Sequence, residues 1–129
     1  AAAISSGGAD PSSWDSVAPW LENPLNRIVT LADAEYPKSL LEIPDPPPLL
    51  YVKGRLDLLN RSAFAIVGSR NATAQGLANA EAFATALSGA GLTIISGLAL
   101  GIDAAAHRGG LAERGSTIAV VGTGLDIVY

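Results

Sequence analysis

The chain has 129 residues, 49% apolar and 16% charged, a composition for a globular domain with a sizeable core rather than a disordered segment. It contains no cysteine and a single histidine, which excludes disulfides, thiolate metal sites and histidine-rich zinc sites and fits a reducing compartment. A net charge of −4 argues against the broad cationic surface that indiscriminate binding to duplex DNA requires.

The charge is unevenly spread. Residues 1–52 carry seven acids against Arg27 and Lys38, whereas residues 53–129 carry six bases against five acids. No secretory signal is visible at the start, and the most apolar stretch, "LTIISGLALGIDAAA" (92–106), is too short for a bilayer and contains Asp103. A cytoplasmic protein is expected. The absence of methionine, even at position 1, is read as the mark of a fragment or a processed chain.

In chain order, residues 1–13 are mostly Ala, Ser and Gly and are expected to form a flexible lead. Residues 14–25, "WDSVAPWLENPL", read as the remnant of a small helical module, kept short by Pro19 and Pro24. The lead and this remnant together make residues 1–26. Residues 27–129 are expected to form the main domain, beginning with lead-in strands and a proline block over 27–61. "RIVTL" and "LLYV" have strand composition, and the "PDPPP" between them is a stiff extended connector.

From residue 62 the pattern is strand–helix–strand–helix–strand. "AFAIVG" (63–68) is a continuous apolar run of the kind buried on both faces of a parallel sheet. "ATAQGLANAEAFATALSGAG" (72–91) places Leu77, Ala80, Ala84 and Leu87 on one helical stripe, with Thr73 at its start and glycines at its end. "LTIIS" (92–96) is a second strand. "GIDAAAHRGGLAERG" (101–115) is a second helix, interrupted or ended near Gly109–Gly110, and "TIAVVG" (117–122) is a third strand. The order predicts an α/β fold with a parallel Rossmann-like sheet, half of a doubly wound fold, preceded by the proline-rich lead-in.

Ligands of open parallel sheets sit beyond the carboxyl ends of the strands. Three such ends carry "GSR" (68–70), "SGLALG" (96–101) and "GTG" (122–124), all built from small residues whose backbone N–H groups can approach an anion. Together they predict a phosphate-binding rim made of Gly68, Ser69, Arg70, Ser96, Gly97, Gly122, Thr123 and Gly124. No dinucleotide fingerprint or P-loop lysine is present, so no nucleotide cofactor is expected. Arg70 suits bidentate phosphate contact or stacking on a base, against the plain alternative of a surface arginine paired with a carboxylate. Asp103 and His107 lie four apart on one helical face. They read as structural support for the adjoining loops, with a hydrogen-bonded catalytic pair as the alternative.

Four segments in sequence, "YPKSLLEIPDPPPLLYVKG", "AIVGSRNATAQG", "SGLALGIDAAAHRGGL" and "TIAVVGTGLDIVY", resemble the DNA-processing protein DprA/Smf family over about residues 27–129. The resemblance implies a bacterial, cytoplasmic, non-enzymatic protein with an extended Rossmann-like domain. It also implies binding of single-stranded DNA, action in natural transformation, loading of the RecA recombinase, and homodimers. Under it, Arg70 matches the DNA-contacting arginine of the Gly-Ser-Arg motif, Ser96–Gly97 a turn lining the pocket, and Gly122–Gly124 the neighbouring loop. A further Rossmann half, with aromatic base platforms and much of the dimer surface, is expected beyond Tyr129. The rival reading is a Rossmann-like nucleotide-binding protein or phosphoribohydrolase, for which Glu81 and Glu113 sit too far from the strand ends.

Overall fold

The computed structural model of the chain describes residues 1–7, 14–122 and 125. They divide into two compact units, Ala2–Asn60 and Arg61–Val120, with Val121 and Gly122 counted with the first.

The first unit contains β1 (Ala2–Gly7), α1 (Trp14–Trp20), β2 (Asn26–Thr30) and β3 (Leu49–Gly54). β3 runs antiparallel to both β1 and β2, with Ile4 opposite Val52 and Val29 opposite Leu50. These four side chains are buried, as the alternation of a half-covered antiparallel sheet requires. β1 overturns the expectation of a flexible lead over the first residues. An antiparallel ladder is made by backbone groups that every non-proline residue owns, so a stretch of small residues can pair wherever a partner strand offers its edge.

Helix α1 is seven residues long and contains Pro19. Trp20 meets Tyr51 edge to face, ring centroids 5.8 Å apart. Between β2 and β3 the short amphipathic piece is a 3-10 helix, Lys38–Glu42. The proline block then runs without regular structure to β3. Tyr36, buried, donates its hydroxyl to the Pro47 carbonyl at 2.7 Å and so pins that block from beneath. The Asn60 side chain closes the unit, donating to the Glu35 and Tyr36 carbonyls and accepting the Lys38 N–H.

The second unit runs β4 (Ala63–Ala65), α2 (Ala74–Gly89), β5 (Thr93–Ser96), α3 (Ile102–Leu111) and β6 (Thr117–Val120). Its strands are parallel in the order β6-β5-β4, with Phe64 beside Ile94 and Ile94 beside Thr117. Each strand-to-strand step passes through a helix, so the α/β Rossmann-like half expected from the sequence is what the chain forms. Ala84 of α2, Ile94 of β5 and Ala106 of α3 meet in its core, with Ile66 and Leu87 packed against them.

Two local expectations are corrected here. α3 passes straight through Gly109 and Gly110 to Leu111. A Cβ at Gly109 would lie 2.5 Å from the Glu81 carbonyl and 2.6 Å from the Ala84 Cβ, so this glycine marks the close crossing of two helices rather than a break. The "AFAIVG" run is also not buried on both faces: Ala63, Phe64 and Ala65 are exposed, with Phe64 at 51% and Val67 at 75%. Double burial in a parallel sheet requires a neighbour on each side and cover on each face, and among the described residues β4 pairs only with β5.

Candidate nucleic-acid interface

β4 delivers the chain to Gly68, where the backbone turns against the start of α3. A Cβ on Gly68 would sit 2.8 Å from Ile102 Cγ1, so only glycine lets the turn lie this close. The next residue holds the turn from two sides. The Ser69 hydroxyl accepts the Asn71 N–H at 3.0 Å, and the Ser69 carbonyl accepts the Ile102 N–H at 3.1 Å. Gly101, at φ +79°, presses its backbone onto the Ser69 carbonyl and the Arg70 backbone, leaving no room for a side chain. Two strand-end loops, 68–71 and 96–101, are thereby joined.

Arg70 projects from this turn. It is exposed and makes no ion pair among the described residues. The backbone N–H groups of Gly68, Ser69 and Arg70 meet no acceptor among those residues either. α2 begins three residues further on, where the Thr73 hydroxyl accepts the Gly76 N–H at 3.0 Å and caps the helix as its position predicts. The result is a fixed turn that offers a guanidinium and backbone donors to solvent.

The second loop is arranged differently from the expectation. Asp103 Oδ2, at the start of α3, accepts the N–H groups of Gly97 at 3.1 Å and Ala99 at 3.4 Å. His107 Nε2 accepts the Leu98 N–H at 3.2 Å. Three consecutive amides that were to face a phosphate are therefore spent inside the protein. Ser96 is also withdrawn: it is buried and donates its hydroxyl to the Ile66 carbonyl at 2.6 Å, tying β5 to the end of β4. The physical reason is the buried carboxylate of Asp103, which cannot be left without donors and takes the nearest ones.

Asp103 and His107 thus support the loop, each reaching a loop amide of its own. Their contacts also stabilise Leu98, a leucine at φ +63° in a region that costs an L-residue about 1–2 kcal/mol. The histidine tautomer follows from the geometry. Leu98 can only donate, so Nε2 carries the lone pair and Nδ1 the proton, given to Thr117 Oγ1 at 2.8 Å. The Thr117 hydroxyl passes its own proton to the Ile94 carbonyl at 2.7 Å. Burial lowers the His107 pKa below its ordinary 6.5, with the Asp103 charge acting in the opposite sense.

Gly122 is exposed, with open space where a Cβ would stand, and belongs to the first unit. Thr123 and Gly124 lie outside the described residues. Of the predicted rim, the structure brings Gly68, Ser69 and Arg70 together with the loop that begins at Gly97. Gly101, Ile102 and Thr117 are the residues that motif reading missed. Gly101 carried a signal, a glycine immediately before a helix, whereas Thr117 looked like any strand residue.

A parallel α/β unit whose first strand ends in an arginine-bearing turn, braced by the start of a later helix, defines a Rossmann-like protein with an exposed guanidinium at the end of that strand. Within that class, residues 27–129 match the family described as DNA recombination-mediator protein A, and the chain belongs to this family. It is 47% identical to protein Smf of Synechocystis over 107 residues, covering 80% of this chain and 27% of that protein. It is 49% identical to the DNA processing protein DprA of Streptococcus pneumoniae over 100 residues, covering 78% of this chain and 35% of that one. Among solved structures, the S. pneumoniae DprA structure superposes with a TM-score of 0.74 at 40% identity, covering 95% of this chain and 46% of that one. A DprA structure from Helicobacter pylori, reported for its single-stranded DNA binding mode, gives 0.69 at 33% identity, covering 80% of this chain and 46% of that one. The chain spans about a third of the length of the curated relatives it matches.

Proposed function

We propose that this chain provides part of the single-stranded DNA-binding surface of a DNA-processing protein, with the Gly68–Asn71 turn as its contact point. The observation that carries this reading is Arg70, an exposed guanidinium without an acid partner among the described residues, on a turn braced by Ile102 and Gly101. A donor fork held on a rigid backbone suits phosphate oxygens, and phosphate contact positions a strand without reading its sequence. The relative from H. pylori, reported to bind single-stranded DNA, supports the same ligand.

The mode is binding without covalent chemistry. Glu81, an acid that a nucleotide-cleaving reading would need at the strand ends, is instead paired with Arg108 at 3.4 Å on the flanks of α2 and α3. In the cell the role is delivery of incoming single strands to a RecA-type recombinase during natural transformation, by a cytoplasmic protein that pairs with a second copy of itself. A fluorescence-anisotropy titration with short single- and double-stranded oligonucleotides tests the reading. Single strands are expected to bind more tightly, and Arg70→Ala to weaken that binding. Equal affinity of wild type and Arg70→Ala for the single strand would overturn it.

A further inference from the structure

His107 has no place in anion binding as described, yet it is buried and its ring is bonded on both nitrogens. We infer that His107 is a positioning residue: its neutral Nδ1–H imidazole holds loop 97–101, and through it the Arg70 turn, and protonation releases both. The inference rests on the DNA-binding reading for its consequence, though not for its geometry.

The chain of contacts is short. Leu98 N–H ends on Nε2, the one lone pair of the neutral ring, and protonation turns that acceptor into a donor facing a donor. The strain of the left-handed Leu98 then lacks the bond that offsets it. Three residues later the same loop becomes Gly101, which lies on Ser69 and Arg70, and Ile102, whose N–H holds the Ser69 carbonyl. A shift at Leu98 therefore reaches the backbone that aims the guanidinium.

The surroundings of the ring are mostly neutral. β6 presents the Thr117 hydroxyl, and that hydroxyl is committed to the Ile94 carbonyl of β5. On its own helix Asp103 stands one turn away and favours the charged ring, against the stronger effect of burial. Glu81 of α2 and Arg108 of α3 are paired with each other at the exposed flanks of the two helices. Because the chain has one histidine, an imidazole resonance that titrates between pH 8 and pH 5 belongs to this ring.

The test uses the whole 129-residue chain, labelled with nitrogen-15 and free of DNA, titrated from pH 8 to pH 5 by NMR. Expected at pH 8 is a ring protonated at Nδ1 and bare at Nε2. On acidification the amides of Leu98, Ser69, Arg70 and Asn71 should move with the midpoint of the ring, and His107→Gln should abolish that midpoint. The opposite tautomer, a ring that titrates without those amides following, or the same movement in His107→Gln overturns the inference. Should His107→Gln not fold, Thr117→Val removes the ring's acceptor while Leu98, which can only donate, keeps Nε2 bare; a ring that moves its proton to Nε2 overturns the inference equally.

A second arm measures binding of a labelled oligothymidylate across the same range. If the protonated form cannot hold the turn, affinity falls about tenfold per pH unit below the ring's midpoint. Affinity that depends on Arg70 but is flat across the midpoint defeats the positioning role. Affinity indifferent to Arg70→Ala, with the amide coupling intact, defeats the DNA-binding reading and leaves the coupling standing.

Discussion

Arg70 and His107 show how differently two polar side chains of one small unit are used. Arg70 is left in solvent on a rigid turn, so its removal should change binding rather than folding. Loss of one phosphate contact should reduce the slope of log affinity against log salt by about 0.7 for single strands. Titrations of wild type and Arg70→Ala at several salt concentrations measure that slope, and an identical slope excludes Arg70 as a phosphate ligand. His107 is buried neutral, with a pKa lowered by burial. The unfolded chain therefore binds the proton first as pH falls. The stability this group contributes is complete above the ordinary imidazole range and is lost as pH drops through 6.5 towards the folded-state value. Urea midpoints at pH 7.5 and pH 6 should show the loss in wild type and less of it in His107→Gln.

At the scale of elements, the glycines divide by what they touch. Gly97 looked like a phosphate-approach residue, yet a Cβ there would lie 2.9 Å from Asp103 Oδ2. Gly97→Val is therefore expected to displace the carboxylate that holds the loop and to lower the melting temperature as well as binding. Gly109 is where α2 and α3 cross, so Gly109→Ala overpacks that crossing and should cost about 1–3 kcal/mol, read from urea unfolding. Thr73→Ala removes the cap of α2 and should cost about 1 kcal/mol by the same measurement. The extent of α2 and its cap were legible because periodicity and a side-chain oxygen before a helix are local signals. The route of three loop amides was not, because Asp103 and His107 choose their partners only after the helix has placed them beside the loop.

For the whole molecule the instructive element is β4, an apolar edge strand. Backbone groups left unpaired among the described residues, beside the exposed Phe64 and Val67, offer a template for association with another chain. Phe64→Lys should reduce concentration-dependent self-association in sedimentation velocity; equal distributions for the two proteins would show that the edge is already protected. The first unit makes the opposite point, since β1 was hidden in a run of small residues that carry almost no strand signal. Its pairing with β3 depends on the backbone, and composition does not record where a backbone will find its partner.

What the sequence determined by itself was the alternation of parallel strands and helices, the exclusion of cysteine and P-loop chemistry, and the arginine at the end of the first parallel strand. Those follow from residue type and spacing, which act over a few positions. The tertiary structure alone decided which amides of the second loop stay free, why α3 tolerates two glycines, and how far β4 is covered. Each of those depends on what lies across a gap of a few ångströms between residues distant in the chain, and hydrogen-bond partners and packing space are settled only when both sides are in place.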